Sequence, residues 1–360
     1  MKLLEYIKKN GQYSFDEKPL NGVDKLIFAN ISYVNYKDTV SSNSKMKKTI
    51  KDVCLEFCSK GYDNEYNIMA VRGGIKLLKH MAKCKRYHDL YLYNYQKIVN
   101  DCEQFSAITI EINSHLVYVS FEGTTDEMIG WREDFEMCYR FPIPSQKSAI
   151  KYLNHYFSFK NVDIILGGHS KGGNLALVSG MCANILVRHK IKEIYNYDGP
   201  GLSKRQLNSL KYRKISYKYQ HIVPNNSLVG MMLYSEKRTI VKTNYVGMLS
   251  HYYMNWEVDD FNIIENIMNK SSINLEKKLS SWIEKYNDKQ KKQFVEELFD
   301  VFKRNNINSL LDFINKPTAI IKIFNDSTKV SEQTSIMFKE FSNSVRKYLF
   351  KTLQETIFKS

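Results

Sequence analysis

Residues 163–176 read Asp163-Ile164-Ile165-Leu166-Gly167-Gly168-His169-Ser170-Lys171-Gly172-Gly173-Asn174-Leu175-Ala176, and their reading decides the fold. The apolar run Ile164–Leu166 has strand character and leads directly into Gly168-His169-Ser170-Lys171-Gly172. A helix-like segment follows at once. This is Gly-x-Ser-x-Gly in the setting its chemistry needs: strand, sharp turn, helix. Such a turn presents a serine hydroxyl from a strained backbone, and small neighbours let strand and helix pass closely. The first N–H groups of the helix, beginning with that of Lys171, have no intrahelical acceptor and can hold an oxyanion. The alternative, a chance pentapeptide in a glycine-rich turn, does not account for the flanking strand and helix.

Outward from this turn, residues 107–112 and 116–121 read as paired strands turning at Asn113-Ser114. Helical stretches are expected at 132–140, 146–158 and 171–189. Further strands are expected at 194–197, 215–223 and 239–243. Strands alternating with helices from 107 to 260 predict an α/β fold with a mostly parallel central sheet covered on both sides. Residues 1–100 read as mainly helical, with apolar faces at Phe28, Ile31, Tyr33 and Val34 and at Val53, Cys54, Phe57 and Cys58. From 262 onward the chain reads as helical and polar. It carries one stripe of Phe294, Leu298, Val301 and Phe302, and another of Phe338, Phe341, Val345 and Leu349. The expected division is a catalytic α/β domain with a helical N-terminal part over 1–261 and a helical appendage over 262–360.

A serine nucleophile needs a base, and the base an orienting acid. With an elbow serine, the acid and then the histidine follow it in the chain. His80, His88, His115 and His155 precede Ser170, His169 adjoins it and reads as structural, and His189 comes too early. His221 and His251 remain. His221 lies inside an expected strand ending at Pro224, whereas His251 follows a strand and the loop 244–250, so His251 is the expected base. Asp198 ends a strand in Tyr197-Asp198-Gly199-Pro200-Gly201. It reads either as the acid or as a turn aspartate accepting N–H bonds. Asp259 and Asp260 follow His251 and break the order. The second oxyanion donor should come from the loop after an earlier strand, where Phe121-Glu122-Gly123-Thr124-Thr125-Asp126 offers the Thr124 N–H. Trp131, in Gly130-Trp131-Arg132-Glu133-Asp134-Phe135, reads as a pocket wall or as a core aromatic.

These stretches, with Gly168–Ala176, Val223-Pro224-Asn225-Asn226-Ser227-Leu228-Val229-Gly230-Met231-Met232-Leu233 and residues 250–256, resemble the Mbeg-like family of Firmicutes. That family is itself related to the class 3 (triacylglycerol) lipases. The resemblance runs over roughly residues 20–260. It implies an α/β-hydrolase fold, Ser170 as nucleophile, His251 as base and Thr124 at the oxyanion position. Two departures stand out. Glu122 replaces the arginine of the lipase Phe-Arg-Gly-Thr pattern. The lipase acid sits in Asp-x-Val-Pro, but this chain has His221-Ile222-Val223-Pro224, which moves the acid role to Asp198 or leaves the triad incomplete.

Composition bounds the rest. The 360 residues carry six scattered cysteines with no metal-ligand spacing, so they read as reduced thiols, and no metal or cofactor is expected. The N-terminus lacks the form of a signal peptide, and no apolar run reaches membrane-spanning length, so a cytoplasmic protein is expected. The formal charge of +15 is spread along the chain. It reads as a solvated basic surface or as peripheral contact with an anionic membrane; no nucleic-acid motif accompanies it. The expected activity is hydrolysis of a small-molecule or lipid carboxylic ester. The competing expectation is an inactive hydrolase-like scaffold that binds a partner or membrane.

Overall fold

One eight-stranded sheet runs through the molecule, and its spatial order follows the chain. The strands are β1 (Lys48–Thr49), β2 (Tyr91–Val99), β3 (Gln104–Asn113), β4 (Leu116–Phe121), β5 (Asp163–His169), β6 (Ile191–Tyr197), β7 (Tyr219–Pro224) and β8 (Thr239–Val241). β1 to β4 pair antiparallel, and β4 to β8 pair parallel. This computed structural model describes residues 1–63, 68–307, 309, 326 and 329–357, with side chains as far as Tyr348.

Parallel neighbours need crossovers, and helices supply most of them. The helices before β2 are α1 (Leu3–Asn10), α2 (Gly22–Asn30), α3 (Ile50–Ser59) and α4 (Met69–Met81). Between β4 and β6 lie α5 (Met128–Glu136), α6 (Pro144–Phe157), α7 (Lys171–Cys182) and α8 (Ile185–Arg188). The short α9 (Lys204–Leu207) and α10 (Leu210–Arg213) precede β7, and α11 (Met248–His251) follows β8. One sheet face packs against the N-terminal helices through Leu26, Ile27, Phe28, Leu77 and Leu78. The other packs against α6 and α7 through Ala149, Leu153, Phe157, Leu175 and Val178. Both faces are therefore dry, as the apolar central strands require. The fold is α/β, with a mostly parallel central sheet and a serine turn at the end of β5.

Three local expectations are corrected. Residues 91–99 are not helical but form β2. Their alternation is broken by a bulge between Tyr93 and Gln96, where Asn94 takes φ 56°, and that hides the strand period. The helix after Ser170 stops at Cys182, because Ala183 is extended and Asn184 caps the separate turn α8. Residues 262–269 are extended rather than helical, bridging Val258 to Ile263 and Val241 to Glu265.

The C-terminal helices are α12 (Lys270–Lys285), α13 (Asp288–Arg304) and a last helix, Glu332–Ile357. Their stripes meet the rest of the chain directly. Phe294 and Phe341 pack against Phe135 of α5, and Trp282 closes the same cluster. Leu275 and Leu279 pack with Val223 and Met231 beside β7. Val345 is half-buried, and the Leu349 side chain lies outside the described residues. Among the described residues no helix is long and apolar enough to cross a membrane.

Candidate active site

The turn at Ser170 has the geometry its sequence predicts. Ser170 sits between β5 and α7 with φ 58° and ψ −134°, a conformation L-residues rarely adopt. The passage is too tight for side chains: a Cβ on Gly168 would lie 2.3 Å from the Gly172 carbonyl carbon. One on Gly172 would lie 2.1 Å from the Phe121 carbonyl oxygen. β4 and the start of α7 thus touch through backbone, which sets the 121–125 turn beside Ser170.

Asp198 arrives from the end of β6, and His251 from the end of α11, beyond β8. Asp198 follows β6 and is fully buried, with φ 51°. Its Oδ2 lies 2.7 Å from His251 Nδ1. Its Oδ1 accepts from Ser227 Oγ at 2.5 Å and from the Gly230 N–H at 3.1 Å. Both carboxylate oxygens are therefore engaged by donors, and the carboxylate fixes the His251 tautomer with the proton on Nδ1. Nε2 is left as an acceptor. Among the described residues neither His251 Nε2 nor Ser170 Oγ makes a hydrogen bond; such contacts often tighten only with substrate.

The two other histidines near the site hold backbone. His169 Nε2 is 2.7 Å from the His251 carbonyl oxygen, and its Nδ1 is 2.9 Å from the Tyr33 hydroxyl. The ring therefore donates from Nε2 to His251 and accepts from Tyr33. Burial holds its pKa well below the ordinary histidine value, so it stays neutral. His221 Nε2 contacts the Gly199 carbonyl at 2.9 Å, and burial lowers its pKa to about 3. It braces the turn after Asp198 and does not meet Ser170. Asp260 pairs with Lys9 at 2.7 Å, at the N-terminal helix.

On the opposite side of Ser170, the N–H groups of Lys171 and Thr124 both lack acceptors among the described residues. The Thr124 hydroxyl donates to Asp134 Oδ2 at 2.6 Å. Burial raises the Asp134 pKa to about 6, against the pull of Lys171 and the Thr124 bond. Trp131 is half-buried, and its Nε1–H donates to the Thr125 carbonyl at 3.3 Å, in the turn that follows β4.

Sequence reasoning missed several members of this side. The Lys171 side chain is fully buried against Glu133, with Nζ to Oε2 at 3.1 Å. Gln104, the first residue of β3, reaches Gly123 O at 3.2 Å and Thr125 Oγ1 at 3.0 Å. The available signal was a lysine inside an otherwise small and apolar helix start, which needs a buried partner. Glu122, where the lipase pattern has arginine, is buried with its pKa raised by desolvation and faces Lys97 at 3.4 Å. Among the described residues no group of His, Cys, Asp and Glu is arranged to hold a metal ion.

A search of curated proteins finds no match to this chain. Among solved structures, the crystal structure of M37 lipase aligns with 12% identity and a TM-score of 0.32, covering 57% of this chain and 68% of that one. The family comparison is more direct. The Mbeg1-like model matches residues 81–300, from the end of α4 to α13, and the chain belongs to the Mbeg1-like family.

Proposed function

We propose that this chain is a serine hydrolase that cleaves a carboxylic ester of lipid-like character through an acyl-enzyme. Ser170 Oγ attacks the ester carbonyl carbon while its proton passes to His251 Nε2. Asp198 holds the resulting imidazolium, and the Lys171 and Thr124 N–H groups receive the oxyanion. Collapse of the tetrahedral species expels the alcohol, which takes the proton from His251. Water then attacks the acyl-serine by the same route and releases the acid.

The observation that carries this reading is the 2.7 Å Asp198–His251 bond, formed in chain order after a serine on a strained elbow. A lipid-like substrate is favoured by Tyr245, Met248 and Leu249, which stand 42–45% exposed on the segment that ends in His251. Such a rim, on a chain of charge +15, also fits peripheral contact with an anionic membrane. A cytoplasmic setting is supported by six unpaired cysteines. The scaffold alternative draws on the missing hydrogen bond between Ser170 and His251.

Fluorophosphonate labelling separates the two. The reagent should modify the wild-type protein at Ser170, read by peptide mass, and leave Ser170→Ala untouched. A folded wild-type protein that stays unlabelled would favour the scaffold.

A further inference from the structure

The helix start beside Ser170 is held by a buried ionic network that the reaction steps do not use. Lys171 Nζ reaches the Gln104 carbonyl at 2.9 Å and Glu133 Oε2 at 3.1 Å. Glu133 Oε2 also accepts the Gln104 N–H at 3.1 Å, and its Oε1 accepts the Ser145 N–H at 2.8 Å. The Gln104 side chain then crosses to the other oxyanion segment. It donates to Gly123 O and Thr125 Oγ1, and its Oε1 faces the Thr125 N–H at 3.4 Å. Lys171, Glu133 and Gln104 are all at most 1% exposed.

A buried lysine–glutamate pair is a poor source of net stability, because the desolvation of two charges offsets most of their attraction. Its position supplies another reason for it. Lys171 carries one oxyanion N–H on its own backbone. Gln104 grips the residues on both sides of Thr124, which carries the other. Glu133 joins Lys171 to Gln104 and comes from α5, the helix that also supplies the Asp134 partner of the Thr124 hydroxyl.

We propose that Lys171, Glu133 and Gln104 form a rigid frame that sets the spacing between the Lys171 and Thr124 N–H groups. They are positioning residues, acting through two peptides. The inference rests on the hydrolase reading, since it assigns those two N–H groups to the oxyanion.

Two variants test it: Gln104→Leu, which removes no charge, and Lys171→Met/Glu133→Gln, which removes both charges of the pair together. Turnover of a short-chain p-nitrophenyl ester would be measured beside hydrogen exchange of the peptide covering residues 121–127. In each variant kcat should fall roughly 10- to 100-fold, short of the ~10²–10³ lost when an oxyanion donor is removed, with KM nearly constant. Inhibition by a phenylboronic acid, which forms a tetrahedral anion on an active serine, should weaken in parallel. Exchange over 121–127 should quicken. Unchanged kcat in both variants overturns the frame, as does unchanged exchange. Should wild-type Ser170 resist the fluorophosphonate, the hydrolase reading fails and the exchange result alone decides the frame.

Discussion

Arg86–Asp24 and Lys171–Glu133 are both sealed from solvent, each side chain at most 1% exposed, yet they hold very different things. Arg86 meets Asp24 with two nitrogens, Nε at 2.9 Å and Nη2 at 2.5 Å. Asp24 also receives the hydroxyls of Tyr6 and Tyr87, and Arg86 Nη1 reaches Lys18 O at 2.8 Å. Every group in that cluster belongs to the helical cover over one sheet face. Lys171–Glu133 has a single direct nitrogen–oxygen contact, and its further bonds go to the Gln104 carbonyl and to the Gln104 and Ser145 N–H groups, with the Gln104 side chain carrying the connection on to Gly123 and Thr125. The first pair fixes how a segment wraps; the second fixes where two N–H groups stand. Burial makes both rigid, and the identity of the held peptide decides whether rigidity serves folding or chemistry.

A third buried acid, Asp198, gives the comparison its largest expected effect. In the proposed mechanism its partner gains and loses a charge, so the carboxylate has to favour one tautomer as well as one position. Asp198→Asn keeps the shape and reverses that preference. Turnover should fall by ~10⁴-fold, the size of the loss when an orienting aspartate is replaced in a well-studied triad. Activity within a few-fold of wild type would remove Asp198 from the mechanism.

The pair at Arg86 should behave in the opposite way. Arg86→Met leaves Asp24 buried and unpaired, which costs about 3–5 kcal/mol of folding stability. Turnover per intact active site, counted by fluorophosphonate titration, should stay within about twofold of wild type, because nothing Arg86 touches borders Ser170. Urea unfolding reads the first quantity and the titrated rate the second. A per-site rate that drops as in the Lys171 variants would erase the distinction between the two pairs.

Much of the Asp198–His251 side was legible because chain order, strand ends and glycine-rich turns are local features. Ser170, Asp198 and His251 each end or follow a strand or turn with its own signature, and excluding His221 needed only its place inside β7. The other side was legible at Thr124 and Lys171 as backbone donors but not as a network. Gln104 lies 67 residues from Lys171, and nothing in the spacing of Gln104, Glu133 and Lys171 announces contact. They meet because β3 and β4 pair as a hairpin and α5 folds back across its end. Likewise β2 stayed hidden because the bulge at Asn94 breaks the period on which strand recognition depends.

Asp134 offers the smallest and most discriminating test of this side. Its folded pKa of about 6 exceeds the ordinary aspartate value of ~3.9, so the folded protein holds this proton more tightly than the unfolded chain. The associated stability is therefore complete below about pH 4 and is lost as pH rises through about 6. At pH 7.5 the ionised group costs roughly 1–2 kcal/mol, the full shift being discounted because the side chain is only partly buried. Asp134→Asn removes that cost, and thermal unfolding at pH 7.5 should move up by roughly 2–4 °C. The gain should vanish at pH 4. Activity should move the other way, since a neutral acceptor holds the Thr124 hydroxyl less firmly than a carboxylate does. A difference of about 1 kcal/mol corresponds to roughly fivefold slower turnover at pH 7.5. The groups around Asp134 (Lys171, Glu133, Thr124 and His251) remain in both proteins, so the ratio of wild-type to variant rates cancels titration elsewhere. That ratio should fall toward one as pH drops below about 6, where both proteins present a neutral acceptor to Thr124. A flat ratio across this range would mean that the Thr124–Asp134 bond does not bear on the oxyanion, and that the Lys171–Gln104 connections position the turn without it.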